Sequence, residues 1–439
     1  MRKPLLLMLL LCGTVHLFAQ NELPGKPRFL PIVQWTTLAA KFTRFCKTYS
    51  ENPCDLKHSI PDSLYQQWRQ FEMVKDEEHP GKYLIIITLD GFRWQEVFMG
   101  ADSILWHRAQ KKARLPIDLE NFWEDTPEKR RALLMPFLWT QVAEHGQIYG
   151  NRNKASAVTV TNKMRISYPG YNEIFAGYPD DKHIKLNFKI PNPNSNVLRF
   201  MGQQKSFRGR VASFASWDVF PSIMNAKKGE MYVNAAFEPV QNIHFSTLNQ
   251  QLQSVSKPWG KRIRPDSLTA AFALEYLRQK APRVMHIGLG ETDEYAHEKK
   301  YAEYLSAANA NDKMIGQIWQ FIQSSERYRN KTTLFITTDH GRGNSPDTWH
   351  KHHTWVDGAE EIWFAVIGPQ TAPEGEMEQS PPYFQCQFAQ TFAAFLGLEY
   401  QPAQAVTGKI AALFETRDVP LKQRQTTEKY LENQLITKK

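Results

Sequence analysis

The stretch Tyr83–Gly91, YLIIITLDG, decides the fold. Everything before Asp90 in it is apolar or β-branched, with no alternation of polar and apolar positions, as in a central parallel strand buried on both faces. A buried strand does not carry an unpaired acid cheaply, so Asp90 belongs where the strand stops, at its carboxyl end. Gly91 then allows a tight turn away from it.

Three further segments have the same form. RISYPGYNEIFAG brings Ser167, HIGLGETDEYAH brings Asp293 and His297, and LFITTDHG brings Asp339 and His340, followed by the histidines of WHKHH. Asp90-Gly91 alone reads as a turn and Ser167 alone as a helix cap. Asp293 and His297 alone, four residues apart, read as a surface ion pair. Independent turns and caps do not explain the ordered set. Together the segments supply seven groups suited to two divalent cations, which can clamp the attacking and leaving oxygens of an in-line displacement at phosphorus. Nitrogen and carboxylate donors without thiolate fit zinc, with manganese as the alternative. Pro169 stands where a first helical turn tolerates it, so Ser167 is expected at a helix amino end, where free N–H groups favour a phosphate oxygen.

In order and in strand context, Leu-Asp-Gly-Phe-Arg, Ser-Tyr-Pro-Gly-Tyr-Asn, Thr-Asp-Glu-Tyr-Ala-His, Thr-Asp-His-Gly and the later histidine resemble the metal-site motifs of the alkaline phosphatase superfamily. They are most similar to its nucleotide pyrophosphatase/phosphodiesterase-like branch, over roughly residues 82–400. The resemblance implies a three-layer α/β/α sandwich with a mostly parallel central sheet and an inserted cap. It implies that Asp90, Asp339 and His340 hold the metal that activates Ser167, the nucleophile, itself a ligand. Asp293, His297 and His352 would hold the second. His352 is preferred for its distance from GAEEIW, and His353 is its competitor because relatives usually have glycine there. Phosphodiesterase relatives show Thr-Phe-Pro-Asn where this chain has Ser-Tyr-Pro-Gly, and Asn172 is the candidate to replace the missing substrate-binding amide. Tyr171 stands where a sulfatase signature would need arginine, which disfavours sulfatase.

The chain's 439 residues exceed the usual single-core size, and its apolar and charged fractions are those of a globular body. Residues 1–19 read as a signal peptide: Arg2 and Lys3, a short apolar run, then Ala19 for cleavage. A lipoprotein reading through Cys12 is disfavoured by Leu11. No other run of about 20 apolar residues follows, so no further membrane span is expected. Cys46 and Cys54 are close enough in sequence to bridge in an oxidising compartment, leaving Cys386 alone. The net charge of +9 includes the clusters KKAR at 111–114 and EKRR at 128–131. With no interleaved aromatics of an RNA-binding type, a solvated face is the simpler reading of them, and no specific nucleic-acid binding is expected.

Residues 20–80 read as an amino-terminal extension, 81–415 as the catalytic domain and 416–439 as a basic tail. Helices are expected at Leu133–Glu144, Leu268–Gln279, Tyr301–Gln323 and Gln385–Phe395, and strands at Val284–Leu289, Thr333–Thr338 and Ile362–Ile367. Polar, turn-rich sequence over 220–265 reads as a cap over the site. The function expected is an exported two-metal hydrolase of small phosphoric esters acting through a phosphoseryl intermediate. The alternatives are a phosphomutase-like transferase and a non-catalytic ligand-binding protein on the same fold.

Overall fold

The computed structural model describes residues 82–112, 122–227, 229–404 and 406–414. All fall in one compact unit, Asp76–Lys439. The signal peptide, the extension, the Cys46–Cys54 pair and the basic tail lie outside the described residues.

In chain order the strands are β1 (Tyr83–Leu89), β2 (Gly146–Tyr149), β3 (Val158–Thr159), β4 (Val211–Ala215), β5 (Tyr232–Ala235) and β6 (Val284–Leu289). Then come β7 (Thr332–Thr337), β8 (Glu361–Ile362), β9 (Phe364–Ile367), β10 (Gly375–Glu376) and β11 (Tyr383–Phe384). The eight-stranded central sheet has the order β10-β2-β9-β7-β1-β6-β4-β5, and β11-β3-β8 form a small second sheet. Within the central sheet only β9 runs against its neighbours. β1 lies between β6 and β7, parallel to both, with Leu89 opposite Leu289 and Thr88 opposite Thr337. The chain segments that follow these three strands therefore emerge side by side.

The helices that matter here are α1 (Trp94–Met99), α2 (Ser167–Ala176), α3 (Asp266–Lys280), α4 (Glu291–His297), α5 (Tyr301–Ser324) and α6 (Phe388–Phe395). Alternate residues of a strand point to opposite faces. Ile85, Ile87 and Leu89 enter one core with Phe272 of α3 and Leu305 and Ile315 of α5. Leu84 and Ile86 enter the other, with Ile174 of α2 and Phe392 of α6. Two cores on one sheet make the three-layer α/β/α sandwich, and they explain why YLIIITL shows no alternation: neither face meets water.

Three expectations are corrected. The helix read through Leu133–Glu144 is broken: Pro127–Leu134 ends at Met135, which turns to φ −129° and ψ 67° before Pro136. Proline disfavours a helical residue before it, and Asp312 caps the restart by accepting from Phe137 N at 2.7 Å and Leu138 N at 3.0 Å. The strand read as Ile362–Ile367 splits between the two sheets at Trp363. That fully buried indole donates to Phe92 O at 2.9 Å. The 220–265 stretch is built into the body rather than laid over the site as a cap. Its β5 is the edge strand of the central sheet, and its Val240, Phe245 and Leu252 join the α3 core. Its first residues meet α2, with Ser222 O accepting from Tyr168 OH at 3.2 Å, and its last reach the site's flank, where Trp259 donates to Glu298 at 2.8 Å and Arg262 pairs with Glu294 at 3.7 Å.

Candidate metal centre

Three neighbouring strand ends and one helix start build the site. Asp90 follows β1, Asp339 and His340 follow β7, and α4 after β6 carries Asp293 and His297. Gly91 makes its turn at φ 56° and donates its N–H to Asp339 Oδ1 at 2.9 Å. Thr292 donates to Asp90 O at 2.7 Å, tying α4 to the end of β1. From the opposite face α2 begins at Ser167, whose side chain is buried.

Ser167 Oγ lies 3.4 Å from Asp90 Oδ1 and 3.3 Å from His340 Nε2. His340 Nε2 is 3.5 Å from Asp90 Oδ1, 3.6 Å from Asp339 Oδ2 and 3.8 Å from Asp293 Oδ1. Beyond it, His352 Nε2 is 3.7 Å from Asp293 Oδ1 and 3.1 Å from His297 Nε2, and His297 Nε2 is 3.0 Å from Asp293 Oδ2. Two donor groups thus share His340: Asp90 and Asp339 on one side, Asp293 and His352 on the other, each set of ligand atoms within 4.8 Å of one another.

Hydrogen bonds turn the inner ring nitrogens to the centre: His340 Nδ1 donates to Gly341 O at 2.9 Å and His352 Nδ1 to Arg165 O at 3.2 Å, so both Nε2 atoms face it. Arg165 presents that carbonyl from a left-handed φ of 51°, held by Asn162 Oδ1 accepting from its N–H at 2.8 Å.

The donors fit divalent cations. Asp339 Oδ2 is fully buried without a hydrogen-bond partner, an expensive arrangement for a carboxylate oxygen unless a cation meets it. The His352 nitrogen facing His297 also needs a proton or a cation between them. Burial, then the neighbouring Asp339 and Asp293, push the Asp90 carboxyl well above its ordinary range. Burial likewise raises Asp339, against the pull of His340. Asp293 goes the other way: burial acts to raise it, but Arg342, His297 and His352 together hold it well below. Asp293 raises His297, while burial and then His340 drive His352 well down.

His352, rather than His353, meets Asp293 and His297; His353 Nδ1 is buried without a hydrogen-bond partner. The substrate role expected of Asn172 is corrected. Its amide is buried and spent inside the fold, donating to Tyr178 O at 3.1 Å and accepting from Asn192 at 3.1 Å and Asn194 at 3.0 Å. The exposed amide beside Ser167 is instead Asn187, whose Oδ1 accepts from Tyr168 N at 2.9 Å.

Arg342 also escaped sequence reasoning. It is buried, donates to Gly91 O at 2.9 Å and His350 O at 2.7 Å, and pairs with Asp293 Oδ1. Its place directly after Asp339-His340-Gly341 was the only available signal. The basic cluster at 128–131 is partly spent in packing, with Arg130 over Trp123, and Arg131 over Trp139 and paired with Glu376.

The superfamily resemblance stands against comparison. The sequence model of the Metalloenzyme superfamily matches residues 261–400, which contain Asp293, His297, Asp339, His340 and His352. Over those residues the chain is similar to the Metalloenzyme superfamily, and the fold around them is an α/β sandwich on a mostly parallel sheet. No curated protein matches the chain. Among solved structures, the phosphonate monoester hydrolase of Agrobacterium radiobacter is similar at 11% identity, over 77% of this chain and 79% of that one, with a TM-score of 0.48. A putative sulfatase from Bacteroides thetaiotaomicron is similar at 13% identity, over 77% and 76%, with a TM-score of 0.48. Murine ectonucleotide pyrophosphatase/phosphodiesterase 5, an inactive form in complex with AMP, is similar at 11% identity, over 76% and 100%, with a TM-score of 0.45.

Proposed function

We propose that this chain is a metal-dependent hydrolase of phosphoric esters in which Ser167 attacks phosphorus. The observation that carries the reading is Ser167 Oγ at the amino end of α2, within 3.4 Å of Asp90 and 3.3 Å of His340. Asp90, Ser167, Asp339 and His340 would hold one ion, and Asp293, His297 and His352 the other. Nitrogen and carboxylate donors favour zinc for both. Bound there, the ions would lower the pKa of the Ser167 hydroxyl and stabilise charge on the leaving oxygen.

The rest is done by the chain. The start of α2 turns the positive end of its dipole toward a phosphoryl oxygen, although Asn187 already accepts from Tyr168 N and Pro169 has no N–H to offer. Ser167 Oγ–P forms as the bond from phosphorus to the leaving alcohol breaks, and water then hydrolyses the phosphoseryl ester and restores the hydroxyl. Asn187 offers an amide at the same end. The Arg2–Ala19 leader supports export. Among the described residues, no helix is long and apolar enough to cross a membrane.

The test is a panel of nitrophenyl phosphate, bis-nitrophenyl phosphate, phenylphosphonate and a sulfate ester with zinc present. It is run on the wild type and on Ser167→Ala, which retains Asp90, Asp339 and His340. Loss of turnover with retained metal, and acid-stable phosphate on Ser167 of the wild type, are expected. Full activity in Ser167→Ala refutes the nucleophile, and turnover of the sulfate ester alone refutes the substrate class.

A further inference from the structure

A buried file of polar side chains runs from the middle of the central sheet to Asp90. Ser213 on β4 sits opposite His286 on β6, with Oγ 2.9 Å from Nδ1. His286 Nε2 is 3.0 Å from Thr88 Oγ1 on β1, and Thr88 Oγ1 donates to Tyr171 OH at 3.4 Å. Tyr171 OH donates to Asp90 Oδ2 at 3.3 Å. Ser213, His286, Thr88 and Tyr171 are all at most 1% exposed. Phe175 and Phe220 pack on the imidazole, with ring centroids 5.0 Å and 5.2 Å away. Polar groups in an apolar core of this kind are retained only when each is paired.

The hydrogen-bond inventory gives the file one direction. Tyr171 spends its single proton on Asp90 Oδ2, which accepts it. Its lone pairs then take the single proton of Thr88. Thr88 in turn accepts from His286, which places the ring proton on Nε2 and leaves Nδ1 bare for the proton of Ser213. Every donor points toward Asp90, an arrangement in which successive bonds polarise one another.

The consequence falls on the ligand. With Oδ2 held by Tyr171, Asp90 presents Oδ1, the oxygen 3.4 Å from Ser167 Oγ and 3.5 Å from His340 Nε2. Tyr171 stands four residues after Ser167, on the same side of α2, so the contact also sets the distance between the nucleophile's helix and the end of β1. We propose that Ser213, His286, Thr88 and Tyr171 are positioning residues, a one-way hydrogen-bond chain that makes Asp90 a fixed single-oxygen metal ligand. This rests on the reading of Asp90 as a ligand.

Two measurements on the full chain test it. Nitrogen NMR of histidine-labelled protein, with the His286 signal assigned by its loss in His286→Gln, should show a neutral ring protonated at Nε2 and bare at Nδ1. The opposite tautomer, or a charged ring, overturns the chain whether or not metal binds. Zinc affinity, measured by competition with a chelator, should fall about 10- to 100-fold in Tyr171→Phe and in Thr88→Val, as when a ligand's outer partner is lost. Each variant changes only the hydroxyl and its bonds, and the melting temperature tracks the fold. Wild-type affinity in both variants overturns the positioning role. A wild-type chain that binds no zinc overturns the reading of Asp90 as a ligand, leaving the NMR result to judge the chain of bonds separately.

Discussion

Replacing Gly170 with alanine should damage the site although alanine is the better helix former. Gly170 lies in α2, one turn after Ser167, with its Cα against the main chain of Asp339. A methyl group there would stand 2.3 Å from Asp339 O, 3.0 Å from Asp339 C and 3.3 Å from Asp339 Cβ. Ordinary contact begins at 3.4 Å, so α2 and the strand-end loop must part by about 1 Å. The obstructing atom is a backbone carbonyl that also accepts from Gln385 Nε2 at 2.8 Å, so it has no free rotation to yield. Helix propensity alone would stabilise the variant by about 1 kcal/mol. Overpacking of this kind costs roughly 1–3 kcal/mol, so the net change is destabilising. The larger effect is on chemistry, because a misplacement of about 1 Å between reacting groups costs on the order of 100-fold in rate. The assay is turnover of whichever phosphoric ester the wild type cleaves, beside melting temperature and zinc affinity. Wild-type turnover with an unchanged or raised melting temperature would refute the close approach of the Ser167 helix to Asp339.

Further outcomes follow from the same geometry. His352→Ala should need far more added zinc to recover activity than His353→Ala, because only the His352 ring meets Asp293 and His297; the reverse ranking would move the ligand to His353. Arg342→Lys should weaken zinc binding about 10- to 100-fold, since lysine lacks the fork that holds Asp293, Gly91 O and His350 O together. Unchanged zinc affinity there would show that Asp293 is held without it. Burial lifts the Asp312 carboxyl to about 7 against 3.8 when free. The folded chain then binds that proton more tightly than the unfolded one, so this contribution to stability is complete below 3.8 and is lost as pH rises to about 7. The difference between the melting profiles of the wild type and Asp312→Asn should show that slope, and a flat difference across the interval would remove it.

Much of this was legible in the residues. Unalternating runs predicted β1, β6 and β7 nearly to the residue, because a strand buried on both faces must be apolar throughout. The acids and histidines at their ends marked a site because such groups are costly at the edge of a core without a cation or a role. Proline already carried the signal for the break at Met135, which the apolar periodicity of the flanking residues concealed. The 220–265 stretch misled because β5 is a short edge strand with two half-buried residues, whose polar and turn-rich surroundings look the same in sequence whether they cap a site or extend a sheet.

Sequence determined which residue types stand at the strand ends, since hydrophobic burial is a local property of the run that precedes them. Tertiary structure alone decided that Asn172 is spent inside the fold and that Arg342 reaches Asp293 across 49 positions of chain. It also decided that Ser213, His286, Thr88 and Tyr171 form one file. Those outcomes depend on side-chain direction and on contacts between segments up to 198 residues apart. No periodicity encodes them, because hydrogen-bond partners are chosen by the packing of the sheet and helices around them.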